Sequence, residues 1–210
     1  MTNSRNSFAI LITYCLFQIL NTLCLNLLPL KAQPYLWVTL LALLACAAMF
    51  GIQKKFTFHN PYDQAHISGP QSLLWSLGGA LALFLVQILG LNLEYLLLGQ
   101  KLTSANTSLL LTIIGKYPYF TLTVVLALPI LEEFVFRKVI FGNLSQHISP
   151  LGAALLSSLL FALAHGDGHY LTYAGMGLLL CGVYAKTHRL TSSMLSHILM
   201  NAAILIMACY

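Results

Sequence analysis

Uninterrupted apolar runs dominate the chain. Phe8–Leu30 and Tyr35–Ile52 contain no charged residue, and Ser72–Leu98 contains one, Glu94. Phe120–Ile140 is apolar apart from the pairs Glu132/Glu133 and Arg137/Lys138. Three shorter stretches follow: Leu151–His165, Tyr170–Ala185 and Ser193–Tyr210. A helix needs roughly 20 residues to cross the hydrocarbon core. The runs therefore predict an all-α fold, a polytopic transmembrane helix bundle of about seven helices. Phe8–Leu30 is long for the apolar part of a signal peptide and ends on Pro29 and Lys31 instead of an A-x-A site, so it reads as a retained membrane helix.

The polar positions divide the chain. Gln53–Gln71 is a loop with Pro61, Asp63, Gly69 and Pro70 as turn formers. Gly99–Pro118 is a second loop, whose short apolar middle, Leu109–Ile114, is compatible with an interfacial turn of helix. Residues 1–118 thus form an N-terminal part of long helices with few polar positions and no readable signature. Residues 119–210 form a second part whose shorter helices carry charge. The stretch from Pro150 to His165 covers only ~24 Å as a helix and stops at Gly166-Asp167-Gly168. That places His165 beside a broken, polar spot instead of in lipid.

Composition sharpens this picture. Of the 210 residues, 59% are hydrophobic and 7% charged, against about 25% charged in a soluble domain. The outer surface must face lipid. The net charge of +5 is scattered between apolar runs, with no basic stripe, so nucleic acid is not an expected partner. With the N-terminus inside, the inner loops hold Arg5, Lys54, Lys55, Arg137, Lys138, Lys186 and Arg189, and the outer ones only Lys31, Lys101 and Lys116. Lys and Arg collect on the cytoplasmic side, which favours a multi-pass membrane protein with a cytoplasmic N-terminus. Cys15, Cys24, Cys46, Cys181 and Cys209 all lie in apolar spans without a C-x-x-C pair, and read as helix-packing residues.

The charges inside the helices point to chemistry, since an ionised group at mid-membrane costs from about 2.5 kcal/mol upward. Glu133 and Arg137 stand four apart on one face, which predicts an ion pair. Glu132 points about 100° away and has no partner in its own helix, so it is the candidate general base or metal ligand. Pro129 withholds a hydrogen bond from the Val125 carbonyl four residues back and predicts a kink. Phe161 and His165, and likewise His197 and Asn201, share helical faces at the same spacing of four. His59, His66, His147 and His188 read as solvated loop residues. Asp167 and His169 read as loop residues too, with a supporting polar contact as the alternative.

Glu132, His165 and His197 on three helices, supported by Asn201, Glu133 and Arg137, allow two hydrolytic chemistries. They can bind Zn²⁺ in a His₂Glu site with an open water position. Alternatively Glu132 and one histidine deprotonate water directly, while the other histidine and Asn201 donate to the oxyanion. Structural interhelical hydrogen bonding and proton relay in a carrier remain open from these residues alone.

The three motifs Glu132-Glu133-x-x-x-Arg137, Phe161-x-x-x-His165 and His197-x-x-x-Asn201 stand in this order over Tyr119 to Tyr210. Here the chain resembles the CPBP family of intramembrane proteases, also called the Abi or CAAX-protease-like family, whose members share EExxxR, FxxxH and HxxxN motifs. The resemblance implies an endopeptidase with a catalytic cavity inside the membrane, acting on peptide or membrane-protein substrates. It implies that Glu132 and His165 activate water and that His197 and Asn201 stabilise the oxyanion, with Glu133, Arg137 and Phe161 in support. It leaves two cofactor readings: a zinc metalloprotease with Glu132, His165 and His197 as ligands, or a metal-free glutamate mechanism. Lys138 departs from the glycine that many relatives place after the arginine, which implies different local packing. The short chain resembles the prokaryotic members, which implies a place in the prokaryotic plasma membrane and suggests an alternative, a non-catalytic membrane protein of bacteriocin immunity.

Overall fold

The computed structural model describes residues 2–56, 60–64 and 67–209; His59, His66 and the side chain of Cys209 lie outside the described residues. Eight helices stand among those described: α1 (Thr2–Leu27), α2 (Pro34–Lys55), α3 (Gly69–Leu98), α4 (Ala105–Lys116), α5 (Pro118–Asn143), α6 (Pro150–His165), α7 (Tyr170–Thr187) and α8 (Leu190–Cys209). Five of them (α1, α2, α3, α5 and α8) are long and apolar enough to cross a membrane. The seven expected helices are all present. The eighth helix is α4, where the sequence suggested only an interfacial turn. Its Ser104 N-cap accepts from the Thr107 N–H and starts the helix well before the apolar middle.

Burial is inverted relative to a soluble protein. Leu44, Leu74, Leu81, Leu89, Leu96 and Leu151 point outward, while Arg137, Lys138, Glu94 and Glu133 are among the largest fully buried side chains. Apolar side chains lose nothing by facing acyl chains, whereas ionised ones must find partners inside the protein.

The centre of the bundle is α5, flanked by α1 and α2 on one side and by α6, α7 and α8 on the other, with α3 packed along α7 and α8. Small residues let these helices approach closely. A Cβ at Gly177 would sit 2.8 Å from Ser158 Cα, so α6 and α7 could not pack as they do with alanine there.

Two buried polar clusters brace the bundle. Lys138 on α5 meets Asp63 of the α2–α3 loop at 2.6 Å. Tyr184 of α7 donates to the same Asp63 at 2.7 Å, and Asn60 donates to the Lys138 carbonyl and to Asn143. The departure at Lys138 is thus used to clamp a loop onto the core. Glu94, near the end of α3, caps α7 from outside that helix. Its carboxylate accepts the N–H groups of Leu171 (2.7 Å) and Thr172 (3.2 Å), the Thr172 hydroxyl (2.7 Å) and His169 Nδ1 (2.8 Å). A helix N-terminus presents unpaired N–H groups and a partial positive charge, so a carboxylate there resolves both burdens.

His169 is therefore buried and hydrogen-bonded to Glu94, the supporting contact offered as the alternative to a plain loop position. Removing the cap is the direct check. Glu94→Ala is expected to lower unfolding free energy by about 2 kcal/mol or more, with Glu94→Gln intermediate, as measured by thermal unfolding in detergent. An unchanged melting temperature for Glu94→Ala would contradict this account of α7.

Candidate active site

Helix α5 is not regular. It opens with a 3₁₀ turn (Pro118–Phe120), continues as π-helix (Leu122–Ala127), returns to α-helix (Leu128–Glu132) and ends as π-helix again (Glu133–Asn143). Wide π turns are uncommon and often accompany functional sites. They also change which carbonyl Pro129 leaves without a donor. Leu128 N–H bonds to Thr123, five residues back, so the acceptor that Pro129 fails to serve is Val124 and not Val125. Asn201 of α8 donates its amide to that Val124 oxygen at 3.1 Å. Neighbouring helices supply further donors: Cys46 Sγ to Ala127 O at 3.4 Å and Ser157 Oγ to Phe136 O at 2.6 Å.

The junction between α- and π-helix falls between the adjacent glutamates. Glu133 is fully buried and faces Arg137 at 3.3 Å, the expected ion pair. Its same oxygen also takes His197 Nδ1 at 3.0 Å, a contact the spacing of residues could not show. The Arg137 guanidinium lies 4.3 Å from the centre of the Phe161 ring, so cation–π contact supplements the carboxylate. Glu132 is partly accessible, and its Oε2 lies 3.8 Å from His197 Nε2. Glu132 thus has a partner after all, supplied by α8. His197 stands between the two carboxylates, Nδ1 on Glu133 and Nε2 toward Glu132.

His165 ends α6, with Gly166 adopting φ 65° to turn the chain. Its Nδ1 lies 2.8 Å from the Phe161 carbonyl. A carbonyl can only accept, so Nδ1 carries a proton, and in the neutral ring this tautomer leaves the lone pair on Nε2. The imidazole ring stacks on Tyr173, centroid to centroid 3.8 Å at 22°, and meets Phe161 edge-on at 4.6 Å. Tyr173 went unnoticed in the sequence because it sits in no motif and carries no charge. Its hydroxyl donates to Asp167 at 3.1 Å, and Ser104 at the start of α4 hydrogen-bonds the same carboxylate. Burial opposes ionisation of Asp167, yet the bonds from Ser104, the His169 N–H and Tyr173 outweigh it and hold the carboxyl below the usual range. Asp167 stands in the loop between α6 and α7 and makes the supporting polar contact given as its alternative reading. Among the remaining histidines, His147 is exposed and His188 packs against Tyr62 with ring centroids 5.7 Å apart.

Glu132, His165, His197 and Asn201 line one cavity of about 120 Å³, together with Tyr173 and apolar groups from α4, α5, α7 and α8. Several waters or a peptide group fit in such a space. Glu133, Arg137 and Phe161 lie behind this wall.

Over an alignment of 226 positions the chain is 33% identical to the membrane-embedded CAAX protease MroQ of Staphylococcus aureus (strain USA300), covering 98% of this chain and 90% of the relative. The chain belongs to the CAAX protease family. The sequence model of the Rce1-like family, described as type II CAAX prenyl endopeptidase, matches residues 114–203, the segment that carries all three motifs. YdiL of Bacillus subtilis (strain 168), designated a membrane peptidase, is 37% identical over 138 residues. The matched part is 65% of this chain and 56% of YdiL, so the chain spans a little over half of that relative. No solved structure matches the chain.

The zinc reading needs three donors to converge. Among the described residues no three His, Cys, Asp or Glu side chains come close enough together to hold a metal ion. Glu132 and His197 face each other, while His165 is held back by its own helix carbonyl and the Tyr173 ring. The arrangement does not fit a three-ligand metal centre.

The stack on Tyr173 has a spectroscopic consequence. In histidine-labelled protein the His165 ring protons are expected upfield of the other histidines, with Nδ1 protonated. Tyr173→Phe should keep the upfield position and Tyr173→Leu should lose it. Identical His165 resonances in both variants would remove the stack from the account.

Proposed function

We propose that the protein is an intramembrane endopeptidase that hydrolyses peptide bonds of membrane-associated or peptide substrates with a water activated by Glu132 and His165. The observation that carries this reading is the single cavity lined by Glu132, His165, His197 and Asn201 from three different helices. The family of the chain and the name of MroQ support the same reaction class.

In this reading the substrate carbonyl lies between the Glu132 side of the cavity and His197. A water held by the Glu132 carboxylate and the free Nε2 of His165 gives up one proton as its oxygen attacks the carbonyl carbon. The carbonyl π pair becomes an oxyanion. His197 donates from Nε2 in its doubly protonated form, and Glu133 at Nδ1 is the group that stabilises that form. Asn201 commits one amide hydrogen to Val124 and has a second to offer the oxyanion. Collapse of the intermediate breaks the C–N bond, and the proton taken from water passes to the departing amine. The products are a carboxylate and an amine. No step draws on a metal, in keeping with the separation of the donors.

Glu133 and Arg137 act as orienting groups here. The carboxylate orients the His197 ring through Nδ1, and Arg137 is the counter-charge of that carboxylate at a fully buried position. The excess of basic residues in alternate loops supports an N-terminus on the cytoplasmic side.

The test uses protein purified in detergent with a quenched-fluorescence peptide library. Glu132→Gln and His197→Ala are expected to lower kcat by about a hundredfold or more while melting within a few degrees of the wild type. Equal cleavage by all three folded proteins would sink the proteolytic reading, and binding without cleavage by the wild type would favour the immunity alternative. Elemental analysis checks the mechanism independently: the expected metal content is far below one atom per chain. A stoichiometric metal lost in His165→Ala or His197→Ala would overturn the metal-free steps.

A further inference from the structure

The cavity has room for a peptide group, whereas a peptide substrate is several residues long, so one of its walls must give way. The walls are unequally held. α5, α7 and α8 place Leu131, Met176 and Met200 in the main buried core, and α3 packs along α7 and α8. Among the described residues α4 contributes no side chain to that core. Its 12 residues reach only about 18 Å, too short to cross a bilayer.

The two faces of α4 differ. Asn106, Thr107, Leu110, Leu111 and Ile114 line the cavity. Ser108, Thr112 and Lys116 are exposed on the other side, with Leu109 among them. That outer face is largely polar, where the spanning helices present leucine to lipid, and this is the pattern of a helix lying at a membrane surface. α4 is thus the wall between the cavity and water.

Its two ends differ as well. Near the C-terminal end Ile114, the buried residue of the helix, packs with Val38 and Phe120, and the Tyr117 ring meets Tyr35 at 4.9 Å. At the N-terminal end the hold is polar: Ser104 hydrogen-bonds the Asp167 carboxylate and lies 3.2 Å from the Tyr173 hydroxyl. Lys101, Leu102 and Thr103, which lead into it, are exposed. Hydrogen bonds exchange for bonds to water at small net cost, and Asp167 is partly accessible. Buried apolar packing has no such substitute.

We propose that α4 is a lid over the active-site cavity, hinged at Ile114 and Tyr117 and latched by Ser104 on Asp167 and Tyr173. Opening admits a peptide from the water-facing side. Closing sets the inner face of α4 over it and shuts bulk water out. The identity of the occupant rests on the proteolytic reading; the lid itself rests on how α4 is held. Latch and site share one residue, since Tyr173 joins the latch through its hydroxyl and covers His165 with its ring.

The experiment measures access to the cavity. Met176→Cys, with the native cysteines replaced by alanine, places one thiol in the lining, and mass spectrometry follows its labelling by a bulky, charged maleimide. With the latch intact, labelling should be slow and limited by lid opening. Asp167→Ala leaves the Ser104 N-cap in place and should raise the rate about tenfold or more, the worth of a hydrogen bond to a charged group. Ser104→Ala should do the same, and Tyr173→Phe, which keeps a ring on His165, should raise it by less. Thr112→Ala, on the outer face, should leave the rate unchanged. Hydrogen exchange in Asp167→Ala should quicken over Ala105–Lys116 and not over α5 or α8. A peptide cleaved by the wild type, bound to Glu132→Gln carrying the same thiol, should slow labelling.

Equal labelling with and without Asp167 would overturn the lid. So would a rise confined to Ser104→Ala, which would report only fraying of a helix that has lost its N-cap. Labelling that responds to the latch but not to the peptide supports the lid and counts against the proteolytic reading, as does cleavage by Glu132→Gln at the wild-type rate.

Discussion

Inside a bilayer every polar group must find its partner within the protein, and α5 is where this constraint acts hardest. That helix carries two glutamates, an arginine, a lysine and a proline, and two stretches of π-helix that misalign its own hydrogen bonds. Its neighbours are arranged to answer these demands. Asn201 serves Val124, Cys46 serves Ala127, Ser157 serves Phe136, and Asn60 serves Lys138. The charges are answered likewise: Arg137 and His197 for Glu133, and Asp63 for Lys138. Polar contacts from neighbouring helices therefore add to apolar packing in specifying the bundle around α5, because lipid solvates leucine as well as the protein interior does.

The same arrangement separates the two glutamates by role. Glu133 falls on the enclosed side, where two cationic or proton-donating partners make its charge tolerable. Glu132, one residue earlier, falls on the side that opens to the cavity. Had the helix continued regularly, neighbouring residues would still diverge, but His197 could not be placed so simply between both carboxylates. His165 is fixed by a different method. Its protonated nitrogen is tied to the carbonyl four residues back and its face is covered by Tyr173, so the remaining nitrogen has one direction left.

A second polar network lies beyond the cavity and holds the parts that shape it. Glu94 pins the start of α7, and Asp167 joins Tyr173 of that helix to Ser104 at the start of α4. The helix that stacks against His165 and the helix that walls the cavity are thereby anchored at one point. Residues from the first hundred positions thus contribute to the site region, although they carry no motif.

The sequence by itself determined the membrane class, the helical runs and the three-motif set, because each depends on composition or on spacing within one helix. The Glu133–Arg137 pair was legible for the same reason, at four residues on one face. Only the tertiary structure decided what lies between helices: His197 bridging Glu132 and Glu133, Asn201 bonding to Val124 in place of an open Val125, and Tyr173 stacking on His165. It also gave the loop residues Asp167 and His169 the supporting polar contacts that stood as their alternative reading, and made α4 a full helix. The partners His197–Glu133, Asn201–Val124, Ser104–Asp167 and Glu94–His169 stand more than 60 positions apart, Tyr173 reaches His165 across the turn between two helices, and no local pattern announces the π-helical register. Periodicity reports which face a side chain shares with its own helix; which partner faces it is set by packing.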